Sequence, residues 1–169
     1  MATVVNKTTL RVIKSVDPIY YQDEEWLIDP EIPDAPKRHW KVDGDSLTLK
    51  SAAEIIEADA QWLADTKADK KESFKSELGD ALRSKYTDDE KLSLLLILQL
   101  AVASENTARV AYVSQLAAWI DEGQELLYAA QDNVDPATSV EEVNAMELNL
   151  DAWLAADPQV VIRTAKGIE

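Results

Sequence analysis

Carboxylates are the side chains of this chain with the most scope for chemistry. Acid pairs occur at Asp23–Glu25, Asp88–Glu90 and Glu141–Glu142, and two carboxylates held together can work as general acid and general base. Two of these pairs, however, follow a Thr or Ser that opens a helical pattern, where acidic residues are expected from the helix macrodipole. Asp43 and Asp45 flank Gly44 as they would in a cation-binding loop, but the further ligands and closing Glu of a calcium loop are missing. The chain has no cysteine and a single histidine, His39. Thiol catalysis, disulfides and cysteine- or multi-histidine-ligated metals are thereby excluded, and a histidine relay has little to draw on. No GxGxxG, GxxxxGKS/T or HExxH pattern occurs, and four glycines offer little for a phosphate cradle. No catalytic, cofactor-binding or metal-binding residue is assigned, and the protein is expected not to be an enzyme.

Charge bounds the partners. Lys and Arg number 17 against 32 Asp and Glu, a formal net charge of −15. Such a chain repels phosphate backbones, so nucleic acid is not an expected ligand. A solvated acidic surface that aids solubility accounts for the excess; a DNA mimic or a surface that docks on a basic partner is the sharper alternative. The opening residues MATVVNKTTLRVIKS lack the apolar core of a signal peptide. The apolar run from Leu92 to Val102 is far short of the roughly 20 residues that span a bilayer. No membrane association is expected, and the protein is expected to be cytosolic when it is made.

The elements that would position these residues divide the chain into 1–50, 51–157 and 158–169. Residues 3–16, rich in Thr and Val, read as one strand whose charges are all basic. Residues 17–38 hold four of the six prolines, and every charge from Asp17 to Asp34 is acidic. Proline disfavours regular structure there, yet interspersed aromatic and apolar residues suit an extended arm laid along a surface. Asp43-Gly44 signals a hairpin over 38–49; with that pair as the loop, Val42 would face Asp45 and Trp40 would face Leu47.

Three helices follow, each announced by a capping box: Ser51 with Glu54, Thr87 with Glu90, and Ser139 with Glu142. The first runs to about Tyr86 through a polar stretch, ADTKADKKES. The second would run from Asp88 to about Gln131, on the order of 60 Å long and overlong for a domain of this size. Its near 3-4 stripe holds polar Gln99 and Asn106, which suit either a coiled-coil seam or an ordinary bundle helix. The third carries Val140, Val143, Met146, Leu150, Trp153 and Leu154 on one stripe and stops at Asp157-Pro158. The tail QVVIRTAKGIE reads as a strand that could pair with the N-terminal one or extend a partner's sheet. The expected class is mainly α: long helices in a bundle or coiled coil, with an extended N-terminal arm, one small β-hairpin and strand-like termini.

The run YYQDEEWLIDPEIPDAPKRHWKVDGDSLTLKSAAE resembles a segment of small tailed-bacteriophage virion proteins of the tail-fibre-like, head-fibre or neck-associated kind. In those, an aromatic-acidic stretch ending in Trp and INPD leads to KYWKVEGD and then to a Ser/Thr-initiated helix. The matching residues are Trp26, Ile28, Asp29, Pro30, Trp40, Lys41, Val42, Gly44, Asp45, Leu47, Ser51 and Glu54. The stretch TDDEKLSLLLILQLA…AAWIDEGQELLY is similar to the helix that follows, so the likeness spans about residues 20–128. His39 stands where the pattern has Tyr, and Ala118-Trp119-Ile120 keeps part of a second Trp motif. The resemblance implies a non-enzymatic structural component of a virion, located in the particle, with no catalytic residues to carry over.

Assembly is then expected through the 17–38 arm and the long helix, with other phage structural proteins and with copies of the chain, a homotrimer being favoured. Tyr20, Tyr21, Trp26, Trp40 and Trp119 are the candidate interface anchors. Each is alternatively an internal core residue, Trp40 and Trp119 most readily. An acidic inhibitor or DNA mimic, or an assembly chaperone that binds a basic partner, is the reading from another class.

Overall fold

Asn6 turns the N-terminal segment back on itself, and much of the architecture follows from that reversal. Its side-chain oxygen accepts the main-chain N–H groups of Thr8 and Thr9 at 3.1 and 2.8 Å, and its own N–H donates to the carbonyl of Arg11. An Asn side chain that satisfies the next two donors is a turn former. The Thr/Val-rich segment is therefore a hairpin, β1 (Ala2–Asn6) and β2 (Val12–Val16), and not the single strand expected. The computed structural model describes residues 1–86, 99–100, 102–105 and 107–158. The chain divides into two compact units, Met1–Ala64 and Asp65–Glu169.

In the first unit β1 lies between β2 and β3 (Trp26–Ile28) in an antiparallel sheet of order β2-β1-β3. Two residues of β2, Lys14 and Ser15, oppose Thr3 alone, because Val16 faces Ala2 and Ile13 faces Val4. Ser15 takes a left-handed φ of 61° there, as a bulge requires. β3 is contributed by the Pro-rich segment that was expected to be an irregular arm. Leu27 faces Val5 and is 2% exposed, so burial of a short apolar run overrides the prolines around it.

A second sheet pairs β4 (Trp40–Asp43) with β5 (Ser46–Leu49). Here the expected register is corrected. Asp43 faces Ser46 and Val42 faces Leu47, so the loop is Gly44-Asp45. Gly44 has φ 58°, which a two-residue hairpin with glycine at its first loop position uses. The shift puts Leu47 beside Trp40, Val5 and Leu27 in one buried cluster, against which Leu10, Val12 and Val42 pack. Each such buried aliphatic side chain contributes roughly 1.5–3 kcal/mol.

Helix α1 (Ala52–Lys85) opens on the Ser51 capping box, with Ser51 N–H donating to Glu54 at 2.8 Å and Glu54 N–H to the Ser51 hydroxyl at 3.3 Å. Its later turns belong to the second unit, where Phe74 and Leu78 are buried. Helix α2 (Thr107–Val134) buries Val113, Leu116, Trp119, Gly123, Leu127 and Val134. Gln131 donates to the Lys71 carbonyl at 3.0 Å while Tyr86 meets Trp119, so α1 and α2 run in opposite directions. Lys67 and Lys71 both reach Asp135, just beyond the end of α2.

The long-helix bundle or coiled coil is overturned by these elements: four helices accompany two small sheets of five strands among the described residues. The turn at Ser104–Glu105, with Glu105 at φ 53°, precedes α2 and ends any continuous run from Asp88. Of the stripe read as either a coiled-coil seam or a bundle face, Val113, Leu116 and Leu127 are buried within the unit, while Gln99 and Val102 are exposed. Thr87–Glu90 and the C-terminal tail fall outside the described residues. The third helix is two, α3 (Val140–Ala145) and α4 (Asp151–Ala155). Ser139 and Glu142 form a complete capping box on α3. The break has a local cause, since Asn149 caps the Asp151 N–H at 3.1 Å and so restarts the helix.

Candidate functional site

His39 is the one side chain suited to proton transfer at neutral pH, and its surroundings define what it can do. It ends a 3-10 turn, Lys37–His39, that feeds directly into β4. Its Nε2 lies 2.7 Å from Asp59 Oδ1 on α1, and Arg38 Nε meets the same oxygen at 2.5 Å. The Arg38 guanidinium also stacks over Trp62, 3.9 Å from the ring centroid. The His39 contact first, and the Arg38 contact second, hold the Asp59 carboxyl below its ordinary range. Lys50 caps the Arg38 carbonyl at 2.7 Å. The cluster is thus a clamp between the turn before β4 and helix α1, with imidazole and guanidinium converging on one acceptor.

Of the other acidic candidates, Glu142 is engaged in the capping box before α3, and Asp88–Glu90 lies outside the described residues. Asp45 is ion-paired with Lys7 at 3.0 Å. Among the described residues no group of three or more His, Cys, Asp or Glu converges as a metal site. No helix among them is long and apolar enough to cross a membrane.

The five aromatic candidates separate by environment. Trp40 is 7% exposed inside the two-sheet cluster, and its indole N–H donates to the Ala35 carbonyl at 2.8 Å. Trp119 is 3% exposed and stacks on Trp153. Tyr21 and Trp26 come together edge to face, with centroids 5.0 Å apart, both half-buried. Tyr20 alone stands clear, 82% exposed, with Ile19 beside it at 80%.

That exposed pair is built. Pro18 starts the 3-10 turn Pro18–Tyr20, the Asp17 side chain accepts the Ile19 N–H at 3.1 Å, and the Tyr21 N–H returns to the Pro18 carbonyl at 2.9 Å. Proline presets the backbone at the first position of such a turn, and the cap satisfies a donor that would otherwise need water. Ile19 and Tyr20 therefore project from an ordered base next to β3. Sequence reasoning passed over Ile19; the Asp17-Pro18 pair was the available signal. No protein-family model, curated protein or solved structure matches this chain.

Proposed function

We propose that the chain is a non-enzymatic structural component of a bacteriophage virion, assembling by docking on other virion proteins or on copies of itself. The supporting observation is the capped turn that presents Ile19 and Tyr20, whose aliphatic chain and aromatic ring are exposed to water. A Tyr paired with an aliphatic residue, held rigidly, is the kind of anchor that dominates interface energies. Preorganisation by Asp17 and Pro18 reduces the ordering cost of binding. Of the phage-like residues, Trp26 and Ile28 belong to the strand that follows this turn, and Trp40, Val42 and Leu47 belong to the hairpin that packs with Val5 and Leu27. A surface at −15 keeps unassembled copies soluble and apart from DNA.

The test is mass spectrometry of purified particles from the phage that encodes the chain. A virion component is present at a fixed ratio to the major structural proteins. Its abundance in infected cells combined with absence from particles would point instead to an assembly chaperone or an inhibitor of a basic enzyme.

A further inference from the structure

From Val110 to Pro158 every charged residue of the chain is acidic, and within that stretch lies an open groove of about 660 Å³ between α2 and α4. Its α2 wall is a single helical stripe, Glu122, Glu125, Leu126 and Ala129, with Asp121 alongside. Its α4 wall is Ala152 and Ala156, one helical turn apart, with the Trp153 ring as part of the floor. Alanine at three lining positions keeps the walls low, and Leu126 is left 40% exposed. The result is an apolar trough rimmed by carboxylates on one side.

We infer that this groove receives a basic amphipathic helical segment of a partner protein. An apolar helix face laid on Leu126 and the alanines, over the buried Trp153 ring, removes their surface from water, as in other helix-in-groove recognition. Lys or Arg on the flank of that helix then meets Asp121, Glu122 and Glu125. These three carboxylates favour encounter with a basic segment and disfavour an acidic one. Nucleic acid is repelled by the same carboxylates, and a second copy of this chain is acidic overall. The surface is separate from the Ile19–Tyr20 turn, so either can fail without the other.

The test uses the full chain and a fluorescently labelled peptide of about 18 residues, built of Leu and Lys with helical periodicity, read by anisotropy. Two control peptides accompany it: a scrambled one of the same composition with no apolar face, and one with Glu in place of Lys. The amphipathic basic peptide is expected to bind, the scrambled one about tenfold more weakly, and the Glu peptide not at all. The double variant Glu122→Lys/Glu125→Lys is expected to weaken binding by about tenfold or more, while Asp132→Lys/Glu147→Lys, with the same change in net charge, leaves it in place. Circular dichroism confirms that both variants fold. Equal binding of the scrambled peptide, equal loss in both double variants, or no binding of the amphipathic peptide would overturn the assignment.

Discussion

The indole rings of Trp119 and Trp153 lie 4.2 Å apart at their centroids and within 4° of parallel, and each donates its N–H to the other's main-chain carbonyl, at 2.7 and 2.6 Å. Buried Trp brings a large apolar surface and one donor that must find a partner. Here each ring satisfies that demand on the other's backbone, so stacking and hydrogen bonding enforce the same geometry. Helix α4 has five residues, too few to hold a helix alone. The reciprocal pair is what ties it to α2. Gly123, one turn beyond Trp119, is the third participant: a Cβ there would sit 2.5 Å from Trp153 Cζ2.

Gly123→Ala is accordingly expected to destabilise the second unit. Helix propensity alone would favour Ala by about 1 kcal/mol, but the clash falls on a ring fixed by its stacking on Trp119 and by its own N–H bond, and overpacking costs about 1–3 kcal/mol. Trp153→Ala, which empties the site, is expected to cost about 3–5 kcal/mol. Thermal unfolding followed by circular dichroism measures both. A raised melting temperature for Gly123→Ala would show that the ring does not lie against this helix.

Tyr86 and Asp157 extend the same cluster. Tyr86 packs against Trp119 with centroids 6.0 Å apart and donates its hydroxyl to Asp157 Oδ1 at 2.8 Å, with both residues 2% exposed. Tyr86→Phe keeps the ring but takes a donor from a buried carboxyl, a loss of about 1–3 kcal/mol. Urea denaturation of the variant, compared with Tyr128→Phe on the exposed side of α2, checks this. Indistinguishable midpoints for the two would remove the bond from the account of stability.

Local signals were legible in the sequence to the extent that their physics is local. The Ser51 and Ser139 capping boxes depend on side chains three residues apart, and both form. Asp43-Gly44 marked the hairpin at the right place, but register depends on which residues the core needs, and Leu47 decided it. The strand at Trp26–Ile28 is made by its pairing with β1, about twenty residues away, and its proline-rich flanks conceal it. The stripe on α2 carried the right residues, Val113, Leu116 and Leu127, while nothing in its spacing distinguishes an internal partner from another chain. Trp119 was legible as an anchor or core residue and Trp153 as part of an apolar stripe, but only the folded chain brings them face to face.

Three carboxylates predict how stability depends on pH. Glu54 is pulled down to about 2, first by the Ser51 N–H, then by the Ser51 hydroxyl and Lys41. Glu142 is lowered chiefly by the N–H and hydroxyl of Thr138, and Asp59 by His39 and then Arg38. Each is favoured as the anion in the folded chain, so each stabilises fully above the ordinary carboxylate range and loses that contribution as pH falls through its lowered value. For Glu54 the window runs from 4.5 down to about 2. The stability gap between the parent protein and Glu54→Gln is therefore expected to be widest at neutral pH and to close across that window. Urea midpoints along a pH series measure it; a gap that stays constant to about pH 2 contradicts the assignment.

Ile19 and Tyr20 predict a separation of stability from assembly. At 80% and 82% exposure they contribute little to the interior, so Ile19→Asp/Tyr20→Asp should change folding stability by about 0.5 kcal/mol or less per site. Docking through that turn would bury both side chains, and a carboxylate at each position would then lose its hydration without a partner. On the proposed virion role, particles grown with the double variant as the sole source of the protein are expected to lack it, although it accumulates in soluble, folded form. Asp17→Ala gives the complementary result: removing the cap at Ile19 keeps the apolar side chains but loosens their base, so incorporation should fall without being abolished. Wild-type incorporation of the double aspartate variant would exclude the turn as the anchor.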